Sequence, residues 1–235
     1  EEPRQESSPE ITRYVRLLST KAPLFEKVSE NTVLVRIPAF DHAFKKDIDA
    51  VIAKHLDTIL KTENLIIDIR GNGGGSDVSY ASLLPILYTN PIRTVGMEYL
   101  STELNNSRML GFLENPHFSE EEKQWAKDGY DILNQHIGSY INIDEDVTVE
   151  TFDKIEPLPK SIGVLVDSSN GSTAEQFLLA AKQSKKVKLF GQTTAGVLDI
   201  SNMYQTDSPS GTFTLYYSLT KSLRIPHMAI DGVGI

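Results

Sequence analysis

The sequence predicts an α/β fold built on parallel βα units, and three observations carry that expectation. Thr32–Ile37 (TVLVRI) is a β-branched run typical of a strand, and Phe44, Ile48, Val51, Ile52, Leu56, Ile59 and Leu60 then recur at helical spacing. Leu65–Ile69 (LIIDI) follows as a short, nearly continuous apolar strand of the buried parallel kind, so the three segments spell a βαβ unit. The same logic repeats further on. Ile162–Val166 leads through the turn Ser168-Ser169-Asn170-Gly171 into a helix expected over Ser172–Lys182, and Val187–Phe190 is the next strand.

The remaining elements follow in order. Residues 1–12 (EEPRQESSPEIT) are polar and charged and read as a leader or linker, so the core is expected over 13–235. The first helix is expected to end near Glu63-Asn64. Residues about 100–160 read as a helical insertion between the two βα units. Within it, Ser119-Glu120-Glu121-Glu122 has the spelling of a capping box and opens a helix running to about His136. Such an insertion is either a cap over a site or a packing subdomain, and its residues carry no recognisable chemistry. Gly191–Gly196, Phe213–Tyr217 and Leu223–Ile225 read as loops and β-segments. The chain starts Glu1-Glu2-Pro3 and ends Gly232-Val233-Gly234-Ile235, which suggests a domain cut from a longer protein.

Composition removes whole classes of function. The 235 residues include no cysteine, which excludes a disulfide framework, a cysteine nucleophile, a thiolate zinc site and an iron–sulfur cluster. A net charge of −9, from 23 Lys+Arg against 32 Asp+Glu, argues against nucleic acid or an anionic membrane as a partner. No stretch approaches the roughly 18 apolar residues of a transmembrane segment.

Two turns carry candidate chemistry. Gly71-Asn72-Gly73-Gly74-Gly75-Ser76 lies at the end of a buried strand. Ser76 stands where a dinucleotide fingerprint needs its third glycine, and the Gly-Lys-Ser/Thr of a phosphate loop is absent from the chain. What the loop offers is a run of unobstructed backbone N–H groups suited to an oxyanion; a plain tight turn explains the glycines equally well. Ser172 begins a helix just past a buried strand, where the helix N-terminus favours negative charge. Ser172-Thr173-Ala174-Glu175 is itself a capping-box spelling, so Ser172 is either a cap or a nucleophile.

A nucleophilic serine needs a base. His55 and His136 fall in expected helices and His117 in a polar loop. His42, in the turn Ala39-Phe40-Asp41-His42, is expected on the same sheet edge as the glycine loop and Ser172. Lys182 lies ten residues along the helix, roughly 15 Å up its axis, too far to reach Ser172.

Together, Leu65–Ser76 (LIIDIRGNGGGS), Gly171–Phe177 (GSTAEQF), Gly191–Gly196 (GQTTAG) and Asp231–Ile235 (DGVGI) resemble the catalytic domain of the tail-specific, or C-terminal-processing, serine peptidases. The resemblance runs from about Thr32 to the end, with the insertion poorly matched. It implies a crotonase-like α/β core and an upstream region, such as a PDZ domain, absent from this chain. It makes Ser172 the nucleophile, with an oxyanion hole from the backbone N–H groups of Gly73, Gly74 and Thr173. Members with a serine–lysine pair place the lysine directly after the glycine closing GxxTxG. Here that residue is Val197, so the chain looks like the tricorn-like branch, with His42 as base. The third member is expected to be Asp231 or Asp41, each a departure from the branch's serine and glutamate.

The implied activity is serine-type hydrolysis of polypeptides through an acyl-enzyme, with trimming near carboxyl ends and no metal or organic cofactor. Export to the periplasm, cell envelope or medium goes with it. A catalytically inactive module binding peptides or apolar ligands is the alternative. A thioester enzyme of the same fold is disfavoured because its substrates require adenine-nucleotide recognition, for which no motif is visible.

Overall fold

A computed structural model describes residues 8–116 and 118–235 of the chain, which form two compact units. His117 of the insertion lies outside the described residues. In chain order the elements are α1 (Pro9–Ser19), β1 (Leu24–Lys27), β2 (Thr32–Arg36), α2 (Lys45–Ile59), β3 (Asn64–Asp68) and α3 (Leu84–Leu87). There follow β4 (Ile92–Val95), β5 (Met97–Leu100), α4 (Glu103–Ser107), α5 (Glu120–Asn134), β6 (Tyr140–Ile141) and β7 (Val147–Glu150). The chain closes with β8 (Ser161–Val166), α6 (Thr173–Ala181), β9 (Val187–Gly191), β10 (Ile200–Asp207) and β11 (Thr214–Ser222).

The first unit comprises the chain up to Ile92, Glu150–Val197 and Gly232–Ile235. Its sheet has the order β1-β2-β3-β8-β9; β2, β3, β8 and β9 run parallel and β1 pairs antiparallel on the edge. The parallel strands are in matched register, so Val33, Leu65, Ile162 and Val187 form one row across the sheet and Val35, Ile67, Val164 and Leu189 the next. Because side chains alternate along a strand, both rows project from one face and build a continuous apolar layer. Ile48, Ile52 and Ile59 of α2 and Phe177, Leu178 and Ala181 of α6 are buried in the same core.

Two expectations need correction here. Residues 9–12 are not linker: Ser8 accepts a hydrogen bond from Ile11 N at 3.3 Å, and Pro9 and Glu10 occupy the first turn of α1. Ser-Pro-Glu is a helix start, with a polar cap, a proline whose missing N–H costs nothing, and an acid at the positive end of the dipole. The insertion expected over about residues 100–160 is also not purely helical, because β6 and β7 lie within it. The second unit combines Arg93–Val149 with Leu198–Asp231, and its sheet, in the order β10-β11-β5-β6, draws strands from both segments. Its helix α5 opens as the spelling predicts: Ser119 Oγ accepts from Glu122 N at 3.2 Å and Glu122 Oε2 accepts from Ser119 N at 2.7 Å. Among the described residues no helix is long and apolar enough to cross a membrane.

The second unit is closed by a reciprocal pair of carboxylates. Asp231 accepts from the N–H groups of Leu198 (2.5 Å), Asp199 (2.7 Å) and Ile200 (3.2 Å). Asp199 accepts in return from Ile230 N and Asp231 N and pairs with Arg224 Nε at 2.7 Å. Burial acts to raise the Asp199 carboxyl, but the Asp231 and Ile230 N–H groups and the Arg224 guanidinium outweigh it and hold the group below its ordinary value. A folded-state value below the unfolded one, about 3.9, gives stability that is fully present above the unfolded value and lost as pH falls through the folded value. Asp199→Asn is therefore expected to cost about 2–3 kcal/mol at pH 7 and to lose less stability than wild type between about pH 5 and pH 3. Thermal melts followed by circular dichroism across that range test this, and parallel pH curves for the two proteins would refute it.

Candidate active site

Matched register brings β2, β3 and β8 to an end at one level, with Arg36 opposite Asp68 and Asp68 opposite Leu165. Three loops leave from that edge: Ile37–Phe44, Ile69–Ser76 and Asp167–Ser172. Two fully buried asparagines tie them together. Asn72 Nδ2 donates to Ile37 O at 3.2 Å, and its Oδ1 accepts from Gly74 N at 2.9 Å and Phe40 N at 3.3 Å. Asn170 Nδ2 donates to Ile69 O at 2.6 Å and Asn72 O at 3.0 Å, while its Oδ1 accepts from Asp167 N at 2.8 Å. Asp167 Oδ1 in turn accepts from Gly71 N and Ser169 N, both at 3.0 Å.

The glycine loop is pressed between the other two. Phe40 N donates to Gly74 O at 3.0 Å and Ser76 N to Phe40 O at 2.9 Å, a parallel bridge from the His42 turn to the glycine loop. A Cβ on Gly75 would lie 2.4 Å from Asp41 N, and one on Gly74 would lie 2.9 Å from Ser172 Cβ and from Thr173 N. Both glycines also have positive φ, +141° and +107°, so no other residue fits on either count. His42 and Ser172 thus belong to turns that flank one dipeptide. Beneath them Phe40, Tyr80 and Phe177 form a buried aromatic trio with centroid distances of 5.4–5.6 Å, one ring from each of the His42 turn, the segment after the glycine loop, and α6.

Ser172 has φ +53° and ψ −126°, a conformation costly for a residue with a Cβ, and its side chain makes no capping hydrogen bond. The cap reading of its capping-box spelling is thereby corrected. Its would-be partner Glu175 is fully buried and engaged elsewhere, accepting from Thr194 Oγ1 at 2.5 Å, Gly196 N at 2.8 Å and Val197 N at 2.9 Å. These bonds hold the Gly191–Val197 loop against α6. Val197 Cγ2 comes to 2.6 Å from where a Cβ on Gly171 would sit.

Of the three expected oxyanion donors, two are free. The N–H groups of Gly73 and Thr173 have no hydrogen-bond partner among the described residues, Thr173 as the first residue of α6 and Gly73 on an exposed stretch. The Gly74 N–H is spent on Asn72 Oδ1, which removes it from the set. Asp41 Oδ1 accepts from Ala43 N at 2.8 Å and caps the short 3₁₀ turn His42–Phe44. Asp231 belongs to the second unit and its carboxylate is engaged by Leu198–Ile200 as described. Sequence reasoning missed Asn72, Asn170 and Glu175; the signal available was a polar residue inside an otherwise apolar or glycine-rich motif. Among the described residues no group of three or more His, Asp or Glu side chains is placed to hold a metal ion. A cleft of about 620 Å³ on the second unit, lined by Trp125, Gly129, Ile132 and Ile143 with Glu121 and Asp128, contains none of the expected site residues.

Comparison with known proteins decides the family, because the model of peptidase family S41 matches residues 31–235. The chain belongs to peptidase family S41. An uncharacterized protein of Chlamydia muridarum (strain MoPn / Nigg) is 26% identical over 243 residues, which cover 88% of this S41 chain and 40% of that protein. Mature CPAF superposes with a TM-score of 0.57 at 20% identity, covering 87% of this chain and 45% of its own. The photosystem II D1 C-terminal processing protease gives 0.51 at 15% identity, covering 87% and 40%. The S41 chain thus spans less than half the length of these relatives, and at such identities the structural likeness is one of fold.

In this S41 chain the asparagine relay supplies hydrogen bonds that no apolar side chain replaces. Asn72→Leu, close in volume, leaves Ile37 O and Gly74 N without their side-chain partner in a buried setting and is expected to cost about 2–4 kcal/mol. Urea unfolding checks this; a loss under about 1 kcal/mol would show that the relay is dispensable.

Proposed function

We propose that this S41 chain is the catalytic part of a serine peptidase in which Ser172 is the nucleophile and His42 the general base. The observation that carries the reading is the strained, uncapped backbone of Ser172 packed against the glycine loop, with the N–H groups of Thr173 and Gly73 unpartnered among the described residues. A binding module has no use for such strain, which costs of order 1–3 kcal/mol. It sets a half-buried serine at a strand-to-helix corner, the position expected of an activated nucleophile.

The chemistry follows the serine–histidine pattern. His42 takes the Ser172 Oγ proton as Oγ bonds to the scissile carbonyl carbon, and the carbonyl π electrons move onto oxygen. The resulting oxyanion is stabilised by the N–H groups of Gly73 and Thr173, each worth about 3 kcal/mol. Collapse expels the amine, which takes its proton from His42. Water, deprotonated by His42, then attacks the acyl-enzyme, and the intermediate collapses to release the carboxylic acid and return the proton to Oγ. Val197, in the position where the lysine-based peptidases carry their base, supports the histidine-based, tricorn-like branch, and the succession of parallel βα units supports a crotonase-like core. Polypeptides are the proposed substrates. Trimming near carboxyl ends extends to this chain what the photosystem II relative's name says of that protein.

A fluorophosphonate probe tests the assignment. Wild type is expected to be labelled on Ser172, located by mass spectrometry; Ser172→Ala is expected to lose the label and His42→Ala to label at least about 10³-fold more slowly. A folded wild type that resists the probe, or a label that survives Ser172→Ala, overturns the reading. Cleavage of peptides with free and with amidated carboxyl ends, compared by mass spectrometry, tests the trimming; equal rates on both would remove it.

A further inference from the structure

We infer that Glu175 is a positioning residue for the nucleophile turn, acting through the Gly191–Val197 loop. The inference rests on Ser172 being the nucleophile. Glu175 is fully buried one turn into the helix that Ser172 begins, and all three groups that donate to it, Thr194 Oγ1, Gly196 N and Val197 N, come from that loop. The loop is gripped on its other side as well. Ile235 N donates to Thr194 Oγ1 at 2.8 Å, Thr194 N to Ile235 O at 3.3 Å and Gly232 N to Gly196 O at 2.9 Å. Thr194 is the link between the two sides: its hydroxyl accepts from Ile235 and donates to Glu175, forming one continuous chain of hydrogen bonds.

What the loop then touches is the residue before the nucleophile. Ala195 N donates to Asn170 O at 2.8 Å, and Val197 Cγ2 and Ala195 Cβ stand 2.6 Å and 3.6 Å from the Cβ position of Gly171. Gly171 is therefore closed on this side by the loop, while Gly74 packs against its carbonyl from another, 2.7 Å from the Gly74 Cβ position to Gly171 O. With both neighbours in place the chain at Ser172 is held in the left-handed region. If the loop loosens, the turn can relax toward an ordinary helix start, in which the serine side chain caps its own helix.

The carboxylate is specifically required, because three donors converge on two oxygens. Glu175→Gln offers one oxygen and turns an N–H₂ toward at least one donor. Thr194→Val keeps shape and removes the hydroxyl link, whereas Thr194→Ser keeps the link. The experiment is the second-order rate at which a fluorophosphonate labels Ser172, measured well below each variant's unfolding temperature. Glu175→Gln and Thr194→Val are expected to slow labelling at least tenfold, and Thr194→Ser to restore it to within about twofold of wild type. Leu133→Ala, in the core of the second unit, serves as a control destabilised without touching this network and is expected to label at the wild-type rate. If Glu175→Gln fails to fold, the threonine pair decides alone. Wild-type labelling rates in Thr194→Val and in any folded Glu175→Gln overturn the inference, as does slowing in Leu133→Ala equal to theirs. A wild type that is never labelled refutes the nucleophile assignment instead.

Discussion

Two buried side-chain amides, Asn72 and Asn170, hold together the edge of the first unit from which the candidate site's loops leave. A parallel sheet ends in loops that must diverge, and at such an edge the last carbonyls and the first loop N–H groups lack strand partners. Left buried and unpaired, each would cost on the order of 1–3 kcal/mol. The two amides meet that demand in series. Asn72 joins the end of β2 to the glycine loop, and Asn170 joins the end of β3 and Asn72's own carbonyl to the turn after β8. Because an amide both donates and accepts in fixed directions, it sets the spacing of the loops as well as their contact. An apolar side chain of equal size would fill the space without fixing the register.

That fixed spacing is what allows strain at Ser172. A positive φ in a residue with a Cβ persists only where the surroundings leave no cheaper arrangement. Here the helix that follows is buried along nearly its whole length, from Thr173 through Ala181, so it cannot shift to accommodate a relaxed turn. The glycine loop blocks one side and Val197 another. Phe177 locks against Phe40 and Tyr80 below. The energy stored in one residue is small beside the packing and hydrogen bonding that hold its neighbours.

The contrast between the two Ser-x-x-Glu spellings shows where local sequence stops being informative. Ser119 and Glu122 lie on the solvent side of α5, where nothing competes for the glutamate, and the box closes as written. Ser172 and Glu175 carry the same letters, but Glu175 sits fully buried facing a loop rich in N–H donors, which captures it. Periodicity and strand composition were enough for the βαβ unit, because burial on both faces writes itself into continuous apolar runs. They were not enough for β1, a four-residue edge strand, nor for the second unit, whose two segments meet only in three dimensions. The sequence offers Asp231, beside the final glycines, as a candidate orienting acid; its reciprocal bonding with the Asp199 segment was not legible, since Asp199 lies in none of the motifs.

Glu175, Asp199 and Asp231 are met chiefly by backbone N–H groups, Glu175 with one threonine hydroxyl and Asp199 with one arginine besides. This differs from Asp68, whose carboxylate pairs with both Arg36 and Arg70. Asp68 sits at the end of a regular strand among long side chains, where a guanidinium can be supplied and oriented. The loop beside the Ser172 turn has little to pack with: Gly191–Val197 reads Gly-Gln-Thr-Thr-Ala-Gly-Val, and glycines and small residues bury too little apolar area to define one conformation. Backbone N–H groups and the Thr194 hydroxyl are the handles it offers. A buried carboxylate uses those handles efficiently, because aligned N–H dipoles replace its lost hydration and each bond fixes one loop residue in place. Where close backbone approach demands glycine, rigidity must come from polar anchors on neighbouring elements, and Glu175 is such an anchor for the Gly191–Val197 loop.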